Sequence, residues 1–156
     1  MNFESIKRVY FIGIGGIGMS ALARFFHAAG KTVAGYDKTS TPLTDELISE
    51  GMIVQFEDKE DQVPEQFRNL QLKESTLIVF TPAIPSESEL LNFFKKNAFR
   101  MVKRSQVLGI ITQHSCTIAV AGTHGKTTTS TMIAHVLRHS GIDCTAFLGG
   151  ISILTC

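Results

Sequence analysis

Residues 118–132, IAVAGTHGKTTTSTM, contain a turn whose residue types suit a phosphate group. Its two glycines let successive backbone N–H groups converge on phosphate oxygens, and Lys126 can place a positive charge beside the β- and γ-phosphates of a nucleotide. The hydroxyl of Thr127 is an oxygen ligand of the kind that Mg²⁺ accepts. We therefore expect a nucleoside triphosphate and Mg²⁺ here, with Thr127 at the metal. The residues predicted to bind the nucleotide are Gly122, Thr123, His124, Gly125, Lys126, Thr127 and Thr128.

This loop is shorter than the common GxxxxGK[ST] form, because Val120 stands where that form has its first glycine. The shortening leaves the convergent N–H groups, the lysine and the threonines in place. We interpret His124 as a loop side chain beside the phosphates rather than a catalyst. The alternative, a plain glycine turn with a surface lysine, does not account for the run of threonines that opens the next helix.

A second glycine-rich turn, GIGGIG at residues 13–18, matches GxGxxG between an apolar run and an amphipathic stretch. The glycines of such a motif allow a tight turn, close approach of a pyrophosphate, and packing of helix on strand. N–H groups at the start of the helix then face the anion. Asp37 ends the next apolar run, where its carboxylate could accept a hydrogen bond from a ribose hydroxyl; the alternative is a solvated acid at a strand end. On these residues alone, the default ligand is NAD.

Strands and helices alternate along the chain. Apolar, β-branched runs predict strands at 8–14, 31–37, 52–56, 75–85, 99–102 and 116–122. Apolar periodicity and capping residues predict helices at 17–29, 41–51, after a capping box of Ser86 and Glu89, at 105–113, and after the phosphate loop. Residues 57–74 are predicted to be mostly loop. The fold class is α/β: a Rossmann-like parallel sheet with helices on both faces, followed by the first strand, P-loop and helix of a second domain.

Composition limits the classes of partner. The chain has 156 residues, is 44% hydrophobic and 19% charged, and carries a formal net charge of +1. This balance gives no basic surface for nucleic acid or an anionic membrane. No stretch is long and apolar enough to span a bilayer, and three scattered cysteines suit a reducing cytosol. We therefore expect a cytoplasmic location.

With both turns in view, the sequence resembles the Mur ligases of peptidoglycan synthesis from about Val9 to Ile151. The resemblance is carried by GIGGIGMSALA at 13–23 and AGTHGKTTT at 121–129. It implies that residues 1–112 form a domain that binds a UDP-sugar rather than NAD, and that residues 113–156 begin the central ATPase domain. TPAIP (81–85) is similar to the family segment bordering the UDP-sugar, and VKRSQVL (102–108) to its basic turn near the substrate. The implied UDP-sugar residues are Gly13, Gly15, Gly16, Gly18, Met19, Asp37, Thr81, Pro82, Ala83 and Arg104.

The resemblance also implies a reaction. The lactyl carboxylate of UDP-N-acetylmuramate would attack the γ-phosphate of ATP, and the amine of L-alanine would displace phosphate from the resulting acyl phosphate. ATP would bind with Mg²⁺ at residues 122–128, with Lys126 and Thr127 as the catalytic residues. We expect the amino-acid pocket, a second metal site and the base for the amine to lie beyond residue 156, so that the chain alone is inactive. Residues 54–58, VQFED, stand where many members have a Gly-His pair at the uracil side, and ILTC does not match the family's continuation.

Two other functions fit the residues. One is a stand-alone NAD-binding module; the other is a non-catalytic sensor of nucleotide sugars. For residues 115–156 we expect either mobility or burial against a second copy of the chain, because the apolar helix face of Met132, Ile133, Val136 and Leu137 has no predicted partner.

Overall fold

The computed structural model describes residues 3–113 and 115–148. The chain divides into two compact units, Met1–Ser115 and Cys116–Cys156. The first unit contains a parallel sheet with helices, and the second contains a helix that follows the phosphate loop.

The sheet of the first unit has five strands, all parallel. They are β1 (Arg8–Ile12), β2 (Thr32–Tyr36), β3 (Ile53–Gln55), β4 (Thr76–Phe80) and β5 (Arg100–Lys103), in the order β3-β2-β1-β4-β5. The predicted Rossmann-like parallel sheet is thus confirmed. Strands β1 to β4 are shorter than the predicted runs, and β5 has the predicted length but begins one residue later.

The described helices are α1 (Ile17–Ala28), α2 (Pro42–Ser49), α3 (Glu65–Arg68), α4 (Glu89–Lys96), α5 (Arg104–Gln113) and α6 (Lys126–His139). Short 3₁₀ turns at Glu60–Gln62 and Leu70–Ser75 flank α3, so residues 57–74 hold more helical structure than predicted. Among the described residues, no helix is long and apolar enough to cross a membrane.

Helices cover both faces of the sheet, as the buried strands require. On one face, Tyr10 of β1 packs with Phe67 of α3 and Phe94 of α4, with ring centroids 5.7 and 5.1 Å from Tyr10. On the other, Phe11 lies 6.3 Å from Phe26 of α1. Consecutive residues of a strand point to opposite faces, so one short strand anchors helices on both.

The predicted capping box of Ser86 and Glu89 is wrong. Helix α4 begins two residues later, with Ser88 as its N-cap accepting from the Leu91 N–H at 3.2 Å. The Asp58 carboxylate accepts from the Ser88 hydroxyl and from the Leu90 N–H, both at 3.0 Å. This contact from a residue thirty positions away selects the cap, and a local S-x-x-E pattern cannot reveal it.

The strand predicted at 116–122 is also not observed. These residues are described, but they form no strand and the sheet contains none of them. A strand depends on ladder hydrogen bonds with a neighbour, which an apolar pattern alone does not supply. The following helix forms as predicted; Ala134 is buried and Ile133 and Leu137 are half-buried, whereas Met132 and Val136 remain 62% and 60% exposed.

Candidate nucleotide-binding sites

The glycine-rich turn between β1 and α1 is attached to the end of β2. The N–H groups of Gly13 and Ile14 both donate to the Tyr36 carbonyl, at 2.7 and 2.9 Å. Gly13 has φ +90°, a conformation that favours glycine. Sequence reasoning missed Gly35 of β2, where an added Cβ would lie 2.8 Å from the Ile14 Cβ. Gly35 therefore leaves space for the turn to seat on β2.

Asp37 contacts this turn directly. Its Oδ2 accepts from the Gly15 N–H at 2.7 Å, and its Oδ1 accepts from the Thr39 N–H at 3.3 Å. A Cβ added to Gly15 would lie 2.9 Å from both Asp37 Oδ2 and the Thr44 methyl group. The missing side chain at Gly15 thus accommodates groups of the protein itself, in addition to any pyrophosphate that approaches the turn.

Thr44 was not among the predicted site residues. It is buried and belongs to a capping box with Thr41, the N-cap of α2, in which each threonine side chain accepts from the other's N–H. The sequence TPLT contains the signal for this box, with Pro42 at the first helical position. The box fixes the side chain of Thr44, whose methyl group lies beside Gly15.

Arg104, the first residue of α5, reaches the start of α1. A Cβ added to Gly18 would overlap its guanidinium group. Gly16, the N-cap of α1, provides no side-chain cap, and within the described part of the chain the N–H groups of Ile17 and Gly18 have no hydrogen-bond partner. Two free N–H groups, the positive end of a helix dipole and a guanidinium together suit a phosphate.

The loop after β4 lies at the same edge of the sheet. Its Ala83 and Ile84 N–H groups donate to the Thr81 hydroxyl and carbonyl, at 3.3 and 3.2 Å, which folds the loop tightly. The Ile84 Cδ1 would be 3.3 Å from a Cβ added to Gly13. Ile84 therefore touches the glycine-rich turn, although only its neighbours Thr81, Pro82 and Ala83 were predicted as site residues.

Met19 has a different environment from the other predicted UDP-sugar residues. It is 2% exposed, and its Cγ would be 3.8 Å from a Cβ added to Gly16, so its side chain packs in the core beneath the turn. Its N–H donates to the Gly16 carbonyl at 2.8 Å. Its predicted role in ligand binding stays a prediction.

The second unit contains the phosphate loop. Gly125, with φ +75°, is the N-cap of α6 and contributes no side-chain cap, so the first N–H groups of the helix point outward from a glycine turn. The Lys126 ammonium donates to the Gly122 and Thr123 carbonyls at 2.6 and 3.0 Å. Lys126 therefore closes the loop on itself.

The other predicted ATP-binding residues surround that lysine in the chain. His124 and Thr128 are exposed and Thr127 is half-buried in the first turn of α6. No group of three or more histidine, cysteine or acidic side chains suited to a metal occurs among the described residues. Threonine hydroxyls, N–H groups and one ammonium fit a nucleotide phosphate with a hard, oxygen-seeking cation.

A parallel sheet with a glycine-rich turn after β1, together with a second glycine turn that opens a lysine-led helix, defines an α/β protein of the Rossmann-like type. The family model described as "Mur ligase family, catalytic domain" matches residues 8–115. The chain belongs to the Mur ligase family.

Its relatives point to one branch of that family. The UDP-N-acetylmuramate–L-alanine ligase of Porphyromonas gingivalis W83 is 56% identical over 147 residues, which are 94% of this chain and 32% of the relative. That of Cytophaga hutchinsonii is 55% identical over 152 residues, or 97% of this chain and 32% of the relative. The chain spans about a third of the length of the curated relatives it matches.

Solved structures of two such ligases, named for different substrates, also match the chain. The UDP-N-acetylmuramate–alanine ligase of Thermotoga maritima matches with a TM-score of 0.78 and 31% identity, over 93% of this chain and 32% of that one. A UDP-N-acetylmuramate:L-alanyl-γ-D-glutamyl-meso-diaminopimelate ligase from Neisseria meningitides matches with a TM-score of 0.71 and 29% identity, over 87% and 40%.

Proposed function

We propose that this chain supplies the UDP-sugar domain and the phosphate loop of an ATP-dependent ligase. The ligase joins L-alanine to UDP-N-acetylmuramate in the synthesis of peptidoglycan precursors. The observation that carries the proposal is the identity of more than half the residues, across 94% of the chain, to a ligase with those two substrates in its name. A cytoplasmic location is part of the proposal, since charged nucleotides do not cross a bilayer unaided.

The pyrophosphate of UDP-N-acetylmuramate binds at the start of α1. The free N–H groups of Ile17 and Gly18 donate to it, and the Arg104 guanidinium neutralises its charge. Asp37 lies on the β2 side of the turn, within reach of a ribose. The loop of Thr81, Pro82 and Ala83 borders the sugar. These contacts orient the lactyl carboxylate for phosphoryl transfer.

ATP binds at the loop of residues 122–128. Lys126 leaves the Gly122 and Thr123 carbonyls and turns its ammonium toward the β- and γ-phosphates. The Thr127 hydroxyl would be a ligand of Mg²⁺, and the ion would supply positive charge beside the transferred phosphoryl group. Phosphorylation activates the lactyl carboxylate, because a carboxylate is a poor electrophile until it carries a leaving group.

Titration calorimetry with UDP-N-acetylmuramate, NADH and Mg-ATP in parallel tests the proposal. We expect UDP-N-acetylmuramate to bind, NADH not to bind, and Arg104→Gln to weaken the UDP-sugar roughly tenfold. Binding of NADH in preference to the UDP-sugar would support the NAD module and reject the proposal. Amide formation itself belongs to the longer relatives, and we expect the 156-residue chain alone not to turn over.

A further inference from the structure

We propose that Asp37 is a positioning residue that holds the glycine-rich turn in its anion-binding shape. On this view its main effect on ligand affinity does not pass through the ribose. The inference rests on the proposed binding of a UDP-sugar at this turn, and it concerns how the site is built rather than which ligand it takes.

The first argument is the hydrogen-bonding of the turn. The Gly13 and Ile14 N–H groups are held by the Tyr36 carbonyl, and the Gly15 N–H by Asp37 at 2.7 Å. Three consecutive N–H groups are thus committed to the end of β2 before any ligand arrives. The donors left for a phosphate are the N–H groups of Ile17 and Gly18, the next ones along the helix start.

The second argument is the orientation of the carboxylate. Each Asp37 oxygen accepts a backbone N–H, from Gly15 on one side and Thr39 on the other, and the Thr44 methyl group lies beside Gly15. A carboxylate held at both oxygens is fixed in place, and a charge-assisted hydrogen bond of 2.7 Å is a strong one. Asp37 therefore links β2 to the turn as a rigid bridge.

If Asp37 acts as this bridge, its removal lowers the affinity of the turn even for phosphate ligands that have no ribose hydroxyls. Removing Asp37 releases the Gly15 N–H, so the turn is free to leave the arrangement that aims the Ile17 and Gly18 N–H groups. Part of the binding free energy of any phosphate ligand is then used to order the turn, so the measured affinity falls. A ribose acceptor, by contrast, affects only ligands that carry ribose hydroxyls.

Substitution at 37 separates the two roles. Asp37→Ala removes the bridge, whereas Asp37→Asn keeps an amide oxygen that can accept the Gly15 N–H. The probes are UDP and its 2′,3′-dideoxy analogue, which has the same pyrophosphate and no ribose hydroxyls. Asp45→Ala is the matched control, because it removes the same charge from an exposed residue of α2 that does not touch the turn.

We expect Asp37→Ala to weaken both probes by the same factor, roughly tenfold, and Asp37→Asn to restore most of the affinity. Asp45→Ala should change neither. A loss for UDP with none for the dideoxy analogue would overturn the proposal in favour of a ribose contact.

Amide hydrogen exchange of the free chain gives a readout independent of any ligand. We expect the Gly15 amide to be protected in the wild type and in Asp37→Asn, and to exchange at least tenfold faster in Asp37→Ala. An unchanged rate in Asp37→Ala would reject the bridge. If the wild type binds neither probe, the proposed function fails, and the Gly15 exchange rate still decides the role of Asp37.

Discussion

The guanidinium of Arg104 lies directly against the Cα of Gly18, so that the beginnings of α5 and α1 meet at the glycine-rich turn. Gly18 has room for a hydrogen and nothing larger on that side. The third glycine of the motif, usually explained by packing of a helix on a strand, here also leaves space for a guanidinium group at the start of α1.

Gly18→Ala should weaken ligand binding without unfolding the chain. The new methyl group displaces the far end of a flexible side chain, so Arg104 swings away and the chain stays folded. We expect UDP affinity to fall roughly tenfold, because a charge-assisted contact is lost. Gly109→Ala in α5, where an added Cβ meets nothing within 4 Å, is the control and should leave affinity unchanged. Equal affinities for the two variants in calorimetry would contradict this arrangement.

Lys126→Met should weaken the binding of phosphate ligands at residues 122–128. In the wild type, we expect inorganic triphosphate with Mg²⁺ to shift the amide resonances of residues 122–128. The variant lacks the ammonium that both closes the loop and meets the anion, so these shifts should shrink several-fold. Lys95→Met, which changes an exposed residue of α4, should respond as the wild type does. Full shifts in Lys126→Met would remove Lys126 from the site.

Ser88→Ala should destabilise the first unit by about 1 kcal/mol, because Ser88 caps α4 and donates to Asp58. Ser86 makes a control of the same chemistry: its hydroxyl donates to the exposed Glu87, and Ser86→Ala should stay within about 0.5 kcal/mol of wild type. Urea unfolding measures both. A larger loss of stability for Ser86→Ala than for Ser88→Ala would support Ser86 as the N-cap, as the sequence pattern predicted.

Tyr10→Phe should leave the free energy of unfolding almost unchanged at neutral pH and should make the protein more stable than wild type at alkaline pH. The Tyr10 hydroxyl is buried with no hydrogen-bond partner among the described residues, so its removal costs little. Burial, with the nearby charge of Asp58 second, raises the pKa of Tyr10 far above its ordinary value of 10.0. Above pH 10 the unfolded chain releases this proton while the folded chain retains it, so stability falls as pH rises, by up to about 1.4 kcal/mol per unit.

Unfolding of wild type and Tyr10→Phe between pH 8 and 11 tests this sign. The free energies should run parallel below about pH 10 and diverge above it, with the variant the more stable. Parallel curves over the whole range would mean that Tyr10 ionises equally well in the folded chain.

Limited proteolysis with a nonspecific protease should cut near residues 112–116. The boundary between the two compact units falls between Ser115 and Cys116 in the chain, and we expect the sheet unit to survive as a folded core. The exposed Met132 and Val136 favour either a loose second unit or its burial in a dimer, and sedimentation distinguishes these. A monomer in which both units resist cleavage equally would show that the boundary is misplaced.

Much of the fold follows from local patterns in the sequence. The order of strands and helices and the two glycine turns are visible there because a parallel strand buried on both faces is apolar throughout. The cap at Ser88 was missed because it depends on Asp58, and the missing strand at 116–122 because pairing is not a local property. Asp37 follows β2 directly, but its hydrogen bond with the Gly15 N–H was not predicted, because the spacing of residues in the sequence gives no distance between Asp37 and the turn.

Central strand β1 pairs with β2 on one side and with β4 on the other, and Arg8 aligns with both Thr32 and Thr76. During synthesis β2 follows soon, but β4 emerges about 70 residues after β1, roughly 3–14 s later at the usual elongation rate. For that interval one apolar edge of β1 stays open, and the glycine-rich turn lacks the loop after β4. A slowly elongating chain is therefore most exposed to aggregation at residues 8–36, the segment that carries β1, the glycine-rich turn and β2.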